Sequence, residues 1–420
     1  MILRARAIWA RKGRVITDGA LQVCGDKIGK LGRRDEVVPD QGEPVIDIGE
    51  SIVFPAFVNA HCHLDYTGLA GELTPGNSFT DWVKQIVEVK RTLTKEEHES
   101  AWLAGAGMLM QTGCGTVANI ESIPGMFARL ANQTPLQVCP FTEIIGYNED
   151  EACEALELAR RELSCNEPLA LVAGISPHAP YTTTPESLSA LAGLADELNV
   201  PTAIHVSESM DEWRMFTDSG GALFDSMRAL GRPSSDCGLG TPVEHVSRSQ
   251  GLARRTLVIH ANQLGESDYG LLAKPGVSVV HCPGSHAWFG HERFEYERLA
   301  KAGVNICLGT DSLASSGGNG SAQGLTMFNE MKRFSNQYPE VSSDEIIGMA
   351  TWNGAAALGL RDVLGQLIEG AFANLAIIPL TNPLADVSDL IVNHAGPVGS
   401  LMIAGKRVFP CPKNDCELTA

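Results

Sequence analysis

The chain has 420 residues, 44% of them apolar and 20% charged, and a net charge of −18. That is the balance of a globular protein with a large buried core. So acidic a chain is poorly suited to gripping nucleic-acid phosphates, and no apolar run is long enough to span a membrane as a helix. A small molecule is the expected partner, with a homo-oligomer compatible.

Short β-prone runs come first, at residues 5–10, 15–23, 27–31 and 45–48, separated by Gly and Asp as in hairpins. The opening residues lack the apolar core of a signal peptide. The 11 cysteines are scattered, several inside apolar runs, and no CxxC occurs. That usage points to a reducing, cytoplasmic setting. Cys411 and Cys416, near the end, are the one close pair of note.

The run Ile52-Val53-Phe54-Pro55-Ala56-Phe57-Val58 reads as a buried strand and leads into Asn59-Ala60-His61-Cys62-His63. Alternation along a strand sends His61 and His63 to one side and Cys62 to the other, so both imidazoles can reach one ion. From here to residue 365, β-prone runs ending near His61, Glu121, Glu143, His178, His205, His260, His281 and Asp311 alternate with helical stretches. Helices are expected over 149–163, over 185–198 with Thr184 as cap, and over 293–302 before Gly303. Eight such units predict a (β/α)8 TIM-like barrel over 59–365, with an open doubly wound sheet as the alternative. Residues 373–379, 398–403 and 405–408 return to short β runs. Residues 1–58 and 366–420 should together form a small composite β-sandwich domain.

Ordinary core histidines explain any one strand end, but not four that share a design. His61, His63, His205 and Asp311 form a three-nitrogen, one-oxygen set suited to one divalent ion, zinc first and ferrous iron second. Such an ion lowers the pKa of a bound water towards neutrality. Glu208, three residues after His205, is a general acid–base candidate; as a helix-start glutamate it would be ordinary. His260 can serve as ligand, base or electrostatic stabiliser, or be structural. His178 lies in a loop stiffened by Pro177 and Pro180 and is read as a substrate contact. His286, Trp288 and Phe289 are further candidates to touch substrate. Residues 170–179 contain no lysine that, once modified, would bridge two metals, so one ion is expected.

Taken in order, the segments Pro55-Ala56-Phe57-Val58-Asn59-Ala60-His61-Cys62-His63, His178-Ala179-Pro180-Tyr181-Thr182, Ile204-His205-Val206-Ser207-Glu208-Ser209, Val258-Ile259-His260-Ala261-Asn262, His281-Cys282-Pro283-Gly284-Ser285 and Leu308-Gly309-Thr310-Asp311-Ser312 resemble the amidohydrolase superfamily. The likeness is to its chlorohydrolase and nucleoside-type deaminase branch, aminodeoxyfutalosine deaminases included.

The resemblance implies metal ligation by His61, His63, His205 and Asp311, and proton shuttling by Glu208. It implies activation of water by His260 with Asp311, and ring contacts from His178 and Trp82. Two departures concern substrate recognition. Ser285-His286 stands where Ser-Asn is usual, and Val87-Glu88-Val89-Lys90-Arg91 stands where a glutamate is usual. The expected reaction is hydrolytic deamination of an amino-substituted heterocycle or adenine-type nucleoside. Alternatives are removal of chloride or alkylamine from a triazine-like ring, hydrolysis of a cyclic amide, or, remotely, a non-catalytic scaffold.

Overall fold

The computed structural model describes residues 1–148, 150–315, 324–382 and 385–410. Eight parallel strands follow one another around a barrel: Phe57–Cys62, Cys114–Glu121, Gln137–Ile144, Gly174–Pro177, Thr202–Val206, Thr256–His260, Val277–His281 and Asn305–Leu308. Their side chains are buried on both faces, as parallel strands wrapped by helices require. The last strand returns to the first: the amides of Thr310 and Asp311 donate to His61 O at 3.1 and 3.2 Å, and His63 N–H donates to Asp311 O at 3.3 Å. Those bonds favour the barrel over an open sheet and bring the first and eighth strand ends together. Gly309 permits this approach, because a Cβ there would lie 2.9 Å from His61 Cβ.

The helix Pro185–Leu198 forms as its sequence predicts. Thr184 Oγ1 accepts from Ser187 N–H at 3.2 Å, proline opens the first turn, and Asn199 stops the helix in the left-handed region at φ 55°. The helix Asp150–Asn166 matches the expectation over 149–163, although Glu149 itself lies outside the described residues. The expectation over 293–302 needs correction, because the helix covers only Tyr296–Lys301. Phe294 is fully buried and stacks on His281 with ring centroids 4.0 Å apart, and its carbonyl accepts from Tyr338 Oη. Those contacts hold the segment before Tyr296 out of helical register.

Both chain ends meet in a second, mixed sheet. Ser51–Pro55 pairs antiparallel with Leu375–Pro379, Phe54 lying opposite Ala376, and the strands Ile2–Arg11 and Ser400–Ile403 extend the sheet on either side. A separate apolar cluster that includes Ile8, Leu21, Val53 and Leu375 fills it. The sheet is fastened to the barrel by Trp9, which stacks on Trp352 at 5.9 Å and donates from Nε1 to Asp344 Oδ1 at 2.7 Å. Cys411 and Cys416 lie outside the described residues.

Candidate active site

The C-terminal ends of the barrel strands carry the polar residues singled out above. His61 is next to last in the first strand with His63 just beyond its end, His205 lies in the fifth and His260 ends the sixth. Asp311 follows the eighth. Ser207, His260, Ala261 and Asp311 have φ of 54, 75, 49 and 53°. Left-handed backbone at non-glycine residues costs about 1–3 kcal/mol each and concentrates where function fixes a side chain. Here it turns His260 and Asp311 towards the mouth of the barrel.

The four side chains expected to hold metal converge. His61 Nε2 lies 3.4 Å from Asp311 Oδ1, His63 Nε2 lies 3.8 Å from the same oxygen, and His63 Nε2 faces His205 Nε2 at 3.3 Å. The donor atoms of His61, His63 and Asp311 all lie within 4.8 Å of one another, as do those of His61, His205 and His260. Both His61 ring nitrogens and His63 Nδ1 are buried without hydrogen-bond partners. Buried polar atoms left unpaired are costly, and a divalent cation among them removes that cost. His205 Nδ1 donates to His178 O at 2.9 Å, which leaves its Nε2 lone pair free for an ion. Burial pushes His63, His205 and His260 well below the ordinary histidine pKa, keeping them neutral as metal ligation requires. Asp311 is steadied by Ser315 Oγ, which donates to Oδ2 at 2.9 Å. The residues fit a divalent ion.

Glu208 is buried, with Oε1 3.5 Å from His260 Nε2. Burial, with Asp311 and Glu212 nearby, holds its carboxyl well above the usual range. Glu212 shapes this corner: its two carboxylate oxygens accept from the amides of Ser207 and Glu208, each at 2.8 Å. Burial raises Glu212 itself to about 7. Asn262 Nδ2 donates to Glu208 O at 3.0 Å.

A cavity of about 960 Å³ opens over these groups, lined by His63, His205, Glu208, His260 and Asp311 and also by His178 and Trp82. That is the volume of a small-molecule site. His178 is held by Thr182 Oγ1, 2.7 Å from Nδ1, and burial followed by the charge of Lys90 pushes its pKa down to about 4. Phe79, Val83, Tyr181, Leu223 and Met227 form an apolar flank. His286 stands apart from this wall: it is buried between the rings of His281 and His291, at 5.2 and 5.5 Å. Trp288 and Phe289 pack on Trp82 from behind, at 6.4 and 5.1 Å, and do not line the cavity. Lys90, Glu143 and Tyr66 also line it, and neither they nor Glu212 and Ser315 were singled out from the sequence as site residues. The signals were the charged run at 87–91 in place of the usual glutamate and the place of Glu143 at a strand end.

The model of the Amidohydrolase family matches residues 52–408, nearly all of this architecture. The chain belongs to the amidohydrolase family. A 5-methylthioadenosine/S-adenosylhomocysteine deaminase of Nitratidesulfovibrio vulgaris is 30% identical over 385 residues, covering 88% of this chain and 80% of the relative. An aminodeoxyfutalosine deaminase of Deinococcus radiodurans is 27% identical over 374 residues, 86% of each chain. Among solved structures, an atrazine chlorohydrolase from Arthrobacter aurescens complexed with zinc superposes with a TM-score of 0.81 at 17% identity, covering 97% of this chain and 94% of its own. At that identity the likeness concerns the fold. Among the described residues, no helix is long and apolar enough to cross a membrane.

Proposed function

We propose that this amidohydrolase is a metal-dependent aminohydrolase that releases ammonia from an amino-substituted heterocycle, an adenine-type nucleoside first. The observation that carries the reading is the cluster of His61, His63, His205 and Asp311 with the Glu208–His260 pair, all but His61 lining one cavity. In this reading the first four hold one ion, zinc before ferrous iron; the zinc of the structural neighbour supports the former. When bound, such an ion supplies a water of lowered pKa at the amine-bearing carbon. Glu208 is placed to carry one proton of a water to the ring nitrogen and the second to the departing amine. His260 and Asp311 orient the water, while His178 and Trp82 position the ring. One water enters and one ammonia leaves, so atoms balance without a further reactant. The names of both relatives support this bond and this class of ring.

The reading extends to domain limits, with residues 59–365 as the catalytic barrel and 1–58 with 366–420 as the composite β domain. A cytoplasmic setting is supported by the described cysteines, all of which are free. Ammonia release is the test, using zinc-loaded protein with adenosine, methylthioadenosine and aminodeoxyfutalosine beside a chlorotriazine. Chloride without ammonia would replace deamination by the triazine alternative.

A further inference from the structure

The cavity wall beside His178 carries two ionisable side chains that the proposed chemistry leaves unused. Lys90 ends the helix Phe79–Lys90, and its Nζ donates to Tyr66 Oη at 2.6 Å and to Ser122 Oγ at 3.3 Å. Ser122 Oγ in turn donates to Asp65 Oδ2 at 2.6 Å, so the ammonium is set in a fixed polar frame. An ammonium has three hydrogens, and two are used here. Glu143, near the end of the third barrel strand, has a side chain only 7% exposed. Its Oε1 is buried without a hydrogen-bond partner, and His178 Nε2 lies 4.0 Å away. A buried carboxylate oxygen without a donor is expensive. Burial raises the Glu143 carboxyl and the charge of Lys90 works against that rise, while burial opposes the Lys90 charge, which Tyr66 and Glu143 sustain. Both line the cavity with His178. The wall therefore offers an acceptor lacking a hydrogen next to a donor with one to spare.

We propose that Glu143 and Lys90 are specificity-determining residues that select a hydroxylated substituent on the substrate's ring. A hydroxyl there donates its hydrogen to Glu143 Oε1 and accepts one from Lys90 Nζ, which meets both demands at once. A sugar-like substituent with neighbouring hydroxyls is the class that fits. The apolar flank formed by Leu223 and Met227 leaves room for a non-polar extension beyond it. This rests on the deaminase reading above.

The test is a cycle between residue and ligand. Wild type and Glu143→Gln are each given an adenine ribonucleoside and its 2′,3′-dideoxy counterpart, and kcat/KM is measured for both. Calorimetric binding of the corresponding hypoxanthine nucleosides is measured in parallel. Wild type should prefer the hydroxylated member by about 10- to 100-fold, the range for hydrogen bonds to charged groups. In Glu143→Gln the charged acceptor is gone while the amide oxygen and Lys90 can still bond a hydroxyl, so the preference should fall by about tenfold, in rate and in binding alike. If Glu143 only orients His178, both nucleosides weaken together and the ratio persists, which overturns the proposal. Absence of ammonia from every adenine compound would strike the deaminase reading instead, and the calorimetric ratios would still decide this one. Should Glu143→Gln fail to fold, Lys90→Met replaces it, and an unchanged ratio in that variant is equally fatal.

Discussion

Glu208 Oε1 lies 3.5 Å from His260 Nε2, with both side chains buried at the floor of one cavity and the donor atoms of His61, His205 and His260 within 4.8 Å of one another. A carboxylate so placed can exchange protons with a water held among those histidines.

Replacing Glu208 by glutamine keeps size and polarity while removing the proton carrier. Turnover should drop by about 100- to 10,000-fold, the usual contribution of a general acid–base group. Metal content, measured by elemental analysis, should stay at the wild-type level. Near-normal turnover would reduce Glu208 to a helix-start residue.

His61→Ala and His205→Ala should each lose metal and activity together. Chelation of the wild type should lower its Tm, and adding zinc should restore it, because an ion that binds only the folded state stabilises by mass action. These variants should show a much smaller zinc-dependent shift in a thermal melt. A full shift would place the ion elsewhere.

Glu212→Ala tests the frame beneath Glu208. It leaves the amides of Ser207 and Glu208 without their acceptor, at a cost of about 1–3 kcal/mol for each buried donor. Denaturant unfolding should show the loss, and kcat should fall with metal retained. Unchanged stability would mean that other groups satisfy those amides.

Much of this site is legible in the order of residues. His61 and His63 are two apart on a strand, so pleating alone aligns them. His205 and Asp311 follow runs whose composition marks buried strands, and the alternation of such runs with helices implies a closed barrel that gathers their ends. Lys90 and Glu143 were not legible as a pair, because they lie on separate elements and line one cavity only in the folded chain. Nor could sequence periodicity foresee that Glu212 would bend back to the amides of Ser207 and Glu208. The late start of the helix Tyr296–Lys301 has the same origin: burial of Phe294 against His281 outweighs local helical preference.

Glu121 gives the fold a pH dependence separate from the chemistry. Burial pushes its carboxyl up to about 8, although Asn119 Nδ2 and Trp102 Nε1 donate to it at 2.7 and 3.2 Å. A folded pKa above the unfolded value means that the native state binds the extra proton. Its contribution is therefore complete below about pH 4.3, declines as pH rises towards about 8, and is lost beyond. Tm of the chelated protein should fall over that window, and less steeply in Glu121→Gln. Parallel slopes for the two proteins would contradict the assignment.

Hydrolytic removal of an amine is tested most directly by following its atoms. Zinc-loaded protein is incubated with an adenine ribonucleoside in ¹⁸O-labelled water, and ammonia and product are quantified together. One ammonia is expected per product molecule, with one labelled oxygen on the ring carbon that bore the amine. Metal-replete protein that releases no ammonia from this or any other amine-bearing ring would contradict it.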